Sequence, residues 1–275
     1  MKKKIISLCL VIALVATAIA GATLAYFTDT DEVKNTFAMG KVDILLDEAD
    51  INNPNERVEA NDYTGTSMVP GHEFDKDPTI HVLAGSEESY IFLDVTINKF
   101  NSLAWVMAKN NGDVSPYMMG EGENKAFSTY LFAQALVANK ELREKVANDW
   151  FNGIVHTDWA IKNVALNAEK DYVTVRLAYQ GDKVGNANTV NAKALTEGSI
   201  DIRFMKSFNM PTTVTQEMIA AGVTEGNMKS AFNTENQNFV MNFTAYAIQA
   251  DTLTNVDAAY KAMFGVDPMY KMPAA

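Results

Sequence analysis

The spacing of apolar residues along this chain changes several times, and each change marks an element. An unbroken apolar run ends near Ala25, and strand-like spacing follows from Tyr26 to Leu46. Phe27, Val33, Phe37 and Met39 hold odd positions there, while Val42, Ile44 and Leu46 hold even ones. The phase switches at Gly40, where a bulge would move the buried face by one residue. Residues 47–66 are polar and turn-rich and predict a loop, and Met68-Val-Pro-Gly71 predicts a turn. A short strand over Thr79–Leu83 is broken by Gly85-Ser-Glu-Glu88. Ser89–Asn98 then alternates, with Ile91, Leu93, Val95 and Ile97 on one side and Tyr90, Phe92, Asp94 and Thr96 on the other. That pattern predicts a half-buried antiparallel strand.

From Asn124 to Trp150 the composition turns to Ala, Leu, Lys and Glu, with Phe127, Leu131, Leu136, Leu142 and Val146 near helical spacing. One or two helices are predicted there. Strand patterns return at Ile154–Ile161, Asp171–Tyr179 and Ser199–Met205, with Val173, Val175 and Leu177 facing inward. Thr215–Phe232 reads as a helix capped by Thr213 or Thr215, Phe239–Ile248 as a closing strand, and Val256–Phe264 as a short helix. No internal repeat is found. The expected fold is mainly β: one antiparallel β-sandwich over 47–275 with helical insertions near 124–150 and 215–232, not a doubly wound α/β sheet.

The N-terminus changes the picture. Lys2, Lys3 and Lys4 precede an apolar stretch from Ile5 that closes in small residues, Ala20-Gly-Ala-Thr-Leu-Ala25. This is the layout of a signal-peptide helix over 1–25. Thr23 and Ala25 suit the shallow pockets of a signal peptidase, which places the cut between Ala25 and Tyr26, with Ala20/Ala22 as a second choice. The other reading of Ile5–Ala25 is an uncleaved anchor, since about 20 apolar residues span a bilayer. Both readings export the rest of the chain. Cleavage removes three lysines and no acidic residue, so the net charge moves from −11 to −14. So acidic a protein is a poor partner for nucleic acid, and its contact with the membrane is expected only through the signal peptide before cleavage. The one cysteine, Cys9, lies in the signal segment, which leaves no disulfide and no thiol chemistry to the exported part.

Candidate chemistry is sparse. The histidines His72, His81 and His156 lack the spacing of a zinc hydrolase, and no Gly-x-Ser-x-Gly or phosphate-binding glycine loop is present. No catalytic residue, metal site or cofactor is assigned. The acidic groups Asp29/Asp31/Glu32 and Asp47/Glu48/Asp50 could in principle supply oxygen ligands to calcium, but they lack the EF-hand pattern, and a solvated acidic face is the default reading.

Three segments together resemble the TasA/camelysin family. Ala22–Ile44, ATLAYFTDTDEVKNTFAMGKVDI, is similar to the start of its members. Met68–Ile97, MVPGHEFDKDPTIHVLAGSEESYIFLDVTI, resembles their Pro-Gly turn, lysine-bearing strand and second strand. Asn238–Asp251, NFVMNFTAYAIQAD, resembles their closing strand. The region from about 100 to 235 departs from the shorter members. The resemblance implies a jelly-roll-like β-sandwich exported through a dedicated signal peptidase of the SipW type. It also implies surface or biofilm-matrix fibres of a Gram-positive bacterium, in which the N-terminal segment of one copy completes the sheet of the next. Residues 26–46 are then the donor-strand candidate, with Phe27, Val33, Phe37 and Met39 as its buried side, and the partner is a second copy of the chain. The residues themselves allow this, because a strand-like segment lies at the exported N-terminus, where tethering is least. The same segment could instead pair within its own subunit. Camelysin-type relatives are also classed as metallopeptidases, so a secreted metallopeptidase and a monomeric surface adhesin are the alternatives.

Overall fold

The computed structural model describes residues 28–30, 42–61, 69–122, 125–154, 158–167, 171–180, 200–225 and 239–270. In chain order these form β1 (Thr28–Thr30), β2 (Ile44–Ala49), β3 (Arg57–Val58), β4 (Glu73–Asp75), β5 (Thr79–Val82) and β6 (Ser89–Asn98). Helix α1 (Phe100–Asn110) follows, then a 3-10 turn, β7 (Met118–Met119) and β8 (Ala126–Phe127). Next come α2 (Thr129–Ala138), α3 (Lys140–Trp150), β9 (Phe151–Asn152), β10 (Trp159–Asn167) and β11 (Tyr172–Tyr179). The chain continues through β12 (Ile200–Arg203), β13 (Ser207–Asn209), α4 (Gln216–Glu225), β14 (Met241–Gln249) and α5 (Val256–Phe264).

The protein is mainly β and sandwich-like, and no sheet among the described residues closes into a barrel. The largest sheet runs β1-β14-β6-β11-β10, and a second runs β12-β5-β2-β3. A three-stranded sheet, β4-β13-β9, and a two-stranded pair, β7-β8, complete the set. Every pairing is antiparallel. Ile91, Leu93, Val95, Ile97, Val173, Leu177, Ala245 and Ala247 form the inner face of the large sheet. They share one core with Ile44, Ile80, Val82 and Ile202 of the second sheet and with the buried side of α1.

The other face of the large sheet corrects the half-buried expectation for Ser89–Asn98. Tyr90, Phe92 and Asp94 are buried as well, because α5 lies over them. Phe92 meets the rings of Tyr260 and Phe264 at 5.8 and 5.5 Å, forming a second apolar cluster with Ile248, Val256 and Ala259. Alternation shows which residues share a face; it does not show whether that face meets water.

Local caps explain the predicted helices. Ser128, Asn139, Thr215 and Asn255 accept from the amides of Leu131, Leu142, Met218 and Ala258 at 2.9–3.3 Å. Asn139 both ends α2 and caps α3, so the predicted helical region becomes two helices. The segment 47–66 is less of a loop than expected: β2 continues to Ala49, and β3 folds back onto it. The strand predicted at 154–161 begins at Trp159 and runs to Asn167. Helix α4 spans Gln216–Glu225, and the remainder of the predicted helix lies outside the described residues.

Helix α1 was not predicted. Its own N-cap, Lys99, is in the left-handed region (φ 53°) with no side-chain cap. Asp171, immediately before β11, supplies the missing acceptor: its Oδ1 takes the Asn101 amide at 3.0 Å. Most of α1 is buried. Gly222 of α4 crosses it closely, its carbonyl accepting from Ser102 Oγ at 3.0 Å.

Candidate functional site

The predicted site residues Thr23, Ala25, Tyr26, Phe27, Val33, Phe37 and Met39 lie outside the described residues, as does His156. The short piece of the donor-strand candidate that is described, β1, sits on the edge of the large sheet. Thr28, Asp29 and Thr30 pair with Ile248, Ala247 and Tyr246 of β14. In the single chain this stretch therefore pairs within its own subunit.

β14 is well suited to receive a strand. Its sequence, MNFTAYAIQ, contains no charge, proline or glycine. Its ladder with β6 is unbroken from Met241↔Ile97 to Gln249↔Ser89. β1 meets it only at Tyr246–Ile248, so Met241–Ala245 have no strand partner on that side among the described residues. Ala245 and Ala247 are buried on its inner face and Ile248 on the opposite one.

A largely buried charge pair joins the strands behind this edge. Arg176 Nε and Nη2 each donate to Asp94 at 2.6 Å, a bidentate contact across β11 and β6. Tyr246 Oη donates to the same carboxylate at 3.3 Å, tying β14 to it. The guanidinium lies 3.6 Å from the centroid of Phe264 of α5. Burial pulls Arg176 down, but the hydrogen bonds and charge of Asp94 outweigh it and hold the group above its ordinary value. Sequence reasoning missed this site; the available signal was a lone charge in each of two otherwise apolar strands, of opposite sign and in register.

A second polar group joins the strands at the start of the sandwich. Lys76 Nζ reaches Glu48 Oε1 at 2.6 Å, and Glu48 is 3% exposed. Arg57 bonds Asp47 and contacts Asp77 at 3.4 Å. Burial lowers the Arg57 guanidinium, while Asp47 and then Asp77 outweigh that and raise it. His81 sits between two carboxylates, with Nε2 2.7 Å from Asp47 and Nδ1 2.6 Å from Asp201. Asp47 and Glu48 are thus internally paired, which corrects the reading of them as a solvated acidic face. Both ring nitrogens of His81 are taken by carboxylates, and His72 packs edge-on against Phe74 at 4.3 Å. Among the described residues no three His, Cys, Asp or Glu side chains gather as a metal site.

The family comparison falls on this same region. The model of the camelysin metallo-endopeptidase family matches residues 1–77, which include β1–β4 and the paired residues Asp47, Glu48, Arg57, Lys76 and Asp77. Over that segment the chain is similar to the camelysin family. Residues 78–275 lie beyond the match. No curated protein and no solved structure matches the chain. No described helix is long and apolar enough to cross a membrane. The matched segment supplies β1, and β14 at the far end of the sequence receives it.

Proposed function

We propose that this protein is a structural subunit of a cell-surface or matrix fibre of a Gram-positive bacterium, assembled by exchange of its N-terminal strand. A dedicated signal peptidase cuts after Ala25, and the N-terminal part of the donor-strand candidate 26–46 leaves its own β14 and completes the β14 edge of a second copy, while Ile44–Leu46 stay paired with β5. The domain that receives it is 47–275. The observation that carries this reading is that the described part of the N-terminal segment, Thr28–Thr30, already pairs along the side of β14, a nine-residue strand without charge, proline or glycine.

Phe27, Val33, Phe37 and Met39 each contribute roughly 1.5–3 kcal/mol if buried on the acceptor. That figure is an upper bound, and ordering the segment costs about 1–2 kcal/mol per residue. Main-chain bonds to β14 close part of that gap. The double change Phe27→Asp and Phe37→Asp places carboxylates where apolar groups are needed. The mature chain is expected to form fibres in electron micrographs, and this variant to remain a folded monomer. Fibres formed equally well by the variant would rule the mechanism out. Chelator-sensitive proteolysis by the purified mature chain would favour the metallopeptidase alternative instead.

A further inference from the structure

The large sheet has two outer strands, and they are built differently. Strand β10 lies opposite the β1/β14 side and pairs with β11. Three devices act on it. Its ladder shifts between Ile161 and Asn163, leaving Lys162 as a bulge with no residue opposite in β11. Lys162 is fully buried, its Nζ 2.6 Å from Asp257 Oδ1 in the first turn of α5. The Lys162 carbonyl accepts from the Tyr270 amide at 3.2 Å. The chain reaches that point because Gly265, at φ 73°, ends α5 in the left-handed conformation and lets the backbone turn.

An edge strand offers unpaired amides and carbonyls to any other chain, and bulges, inward charges and covering segments are the known ways of blocking it. β10 carries all three, and β14 shows no bulge and no charge. We infer that the C-terminal segment Val256–Tyr270 is an edge guard: it prevents β10 from pairing antiparallel with β10 of a second copy. Such a pairing would be isologous, joining two copies about a two-fold axis and giving a closed dimer, not a growing fibre. The guard thus confines association to the β14 edge; this directional role rests on the strand-exchange reading, whereas blocking of β10 does not.

The test uses chains beginning at Tyr26 that carry Phe27→Asp and Phe37→Asp, so that the N-terminal segment is disabled. Ala165→Cys, at an exposed position of β10, adds a thiol to a mature chain that has none. Deleting residues 265–275 removes the Tyr270 contact; Tyr270→Pro removes only the donated N–H and serves if the deletion does not fold. Sedimentation at tens of micromolar is expected to show at least tenfold tighter dimerisation of the unguarded chains, with disulfide-linked dimers on oxidation. Folded unguarded chains that stay as monomeric as the guarded parent would overturn the guard. Fibres formed by the guarded parent would overturn strand exchange instead, so the two failures are distinct.

Discussion

The two edges of the large sheet differ in what they invite. At one, β14, an uncharged strand of nine residues with an unbroken ladder, receives Thr28–Thr30 of the N-terminal segment. At the other, a strand of the same length is kinked at Lys162, pinned by Asp257 and touched by Tyr270. Equal length with opposite treatment teaches that strand length alone does not make an edge adhesive. What matters is whether the ladder is straight, free of inward charge and left uncovered.

This contrast requires the strands between the edges to behave as one slab, and Arg176 is where that can be broken most severely. Arg176→Leu leaves Asp94, 7% exposed, with a buried charge and only Tyr246 as a partner. A loss of about 3–5 kcal/mol is expected in denaturant unfolding, with faster amide exchange along both edges. The double change Asp94→Leu and Arg176→Leu is expected to regain most of it, since removing both charges removes the desolvation cost.

Gly222→Val supplies a control away from either edge. A Cβ there would stand 2.7 Å from Val106 Cγ2 and 3.2 Å from the Ser102 carbonyl. Overpacking of about 1–3 kcal/mol is expected, with exchange rising around α1 and α4 while the pairing of β1 with β14 is unchanged.

A smaller effect tests the cap that α1 borrows. Burial raises the Asp171 carboxyl above its usual range, against the Asn101 amide and the charge of Lys99, and burial lowers the Lys99 ammonium. The fold therefore disfavours the Asp171 carboxylate. Wild-type stability falls as pH rises from the unfolded carboxyl value, about 4, to the raised folded value, and the loss persists above it. Asp171→Asn keeps an acceptor for Asn101 without the charge. Its stability relative to wild type is expected to climb through that window and level off above it, read from unfolding at stepped pH.

A further modest effect is expected from the histidines. Changing His72, His81 and His156 together to alanine should cost stability at the three contacts seen, roughly 1–2 kcal/mol in all, and leave fibre formation intact in micrographs. Loss of a proteolytic activity in that triple variant would support the enzyme alternative.

These features were unequally legible in the sequence. The limits of Ser89–Asn98 and Val256–Phe264 were readable because alternation, the Asn255 cap and Gly265 are local signals. Helix α1 was not, because it is buried nearly all round and its cap comes from Asp171, far along the chain. Strand β3 escaped because two residues carry no period; Arg57 holds it to Asp47. The acceptor side of the candidate site was half visible: Phe239–Ile248 reads as a strand, but its place beside β1 depends on the topology. The guard was invisible, since Lys162 and Asp257 reveal their relation only when α5 lies on the sheet.

The most direct measurement asks whose β1 occupies whose β14. Asp29 and Ala247 face each other across that pairing, and the mature chain has no cysteine of its own. Mature chains carrying Asp29→Cys are mixed with mature chains carrying Ala247→Cys, assembled, and oxidised. Strand exchange predicts disulfides joining the two kinds of chain in the fibres and few in monomeric fractions. Fibres in which the two kinds never cross-link, while a single chain bearing both changes closes only on itself, would contradict the account.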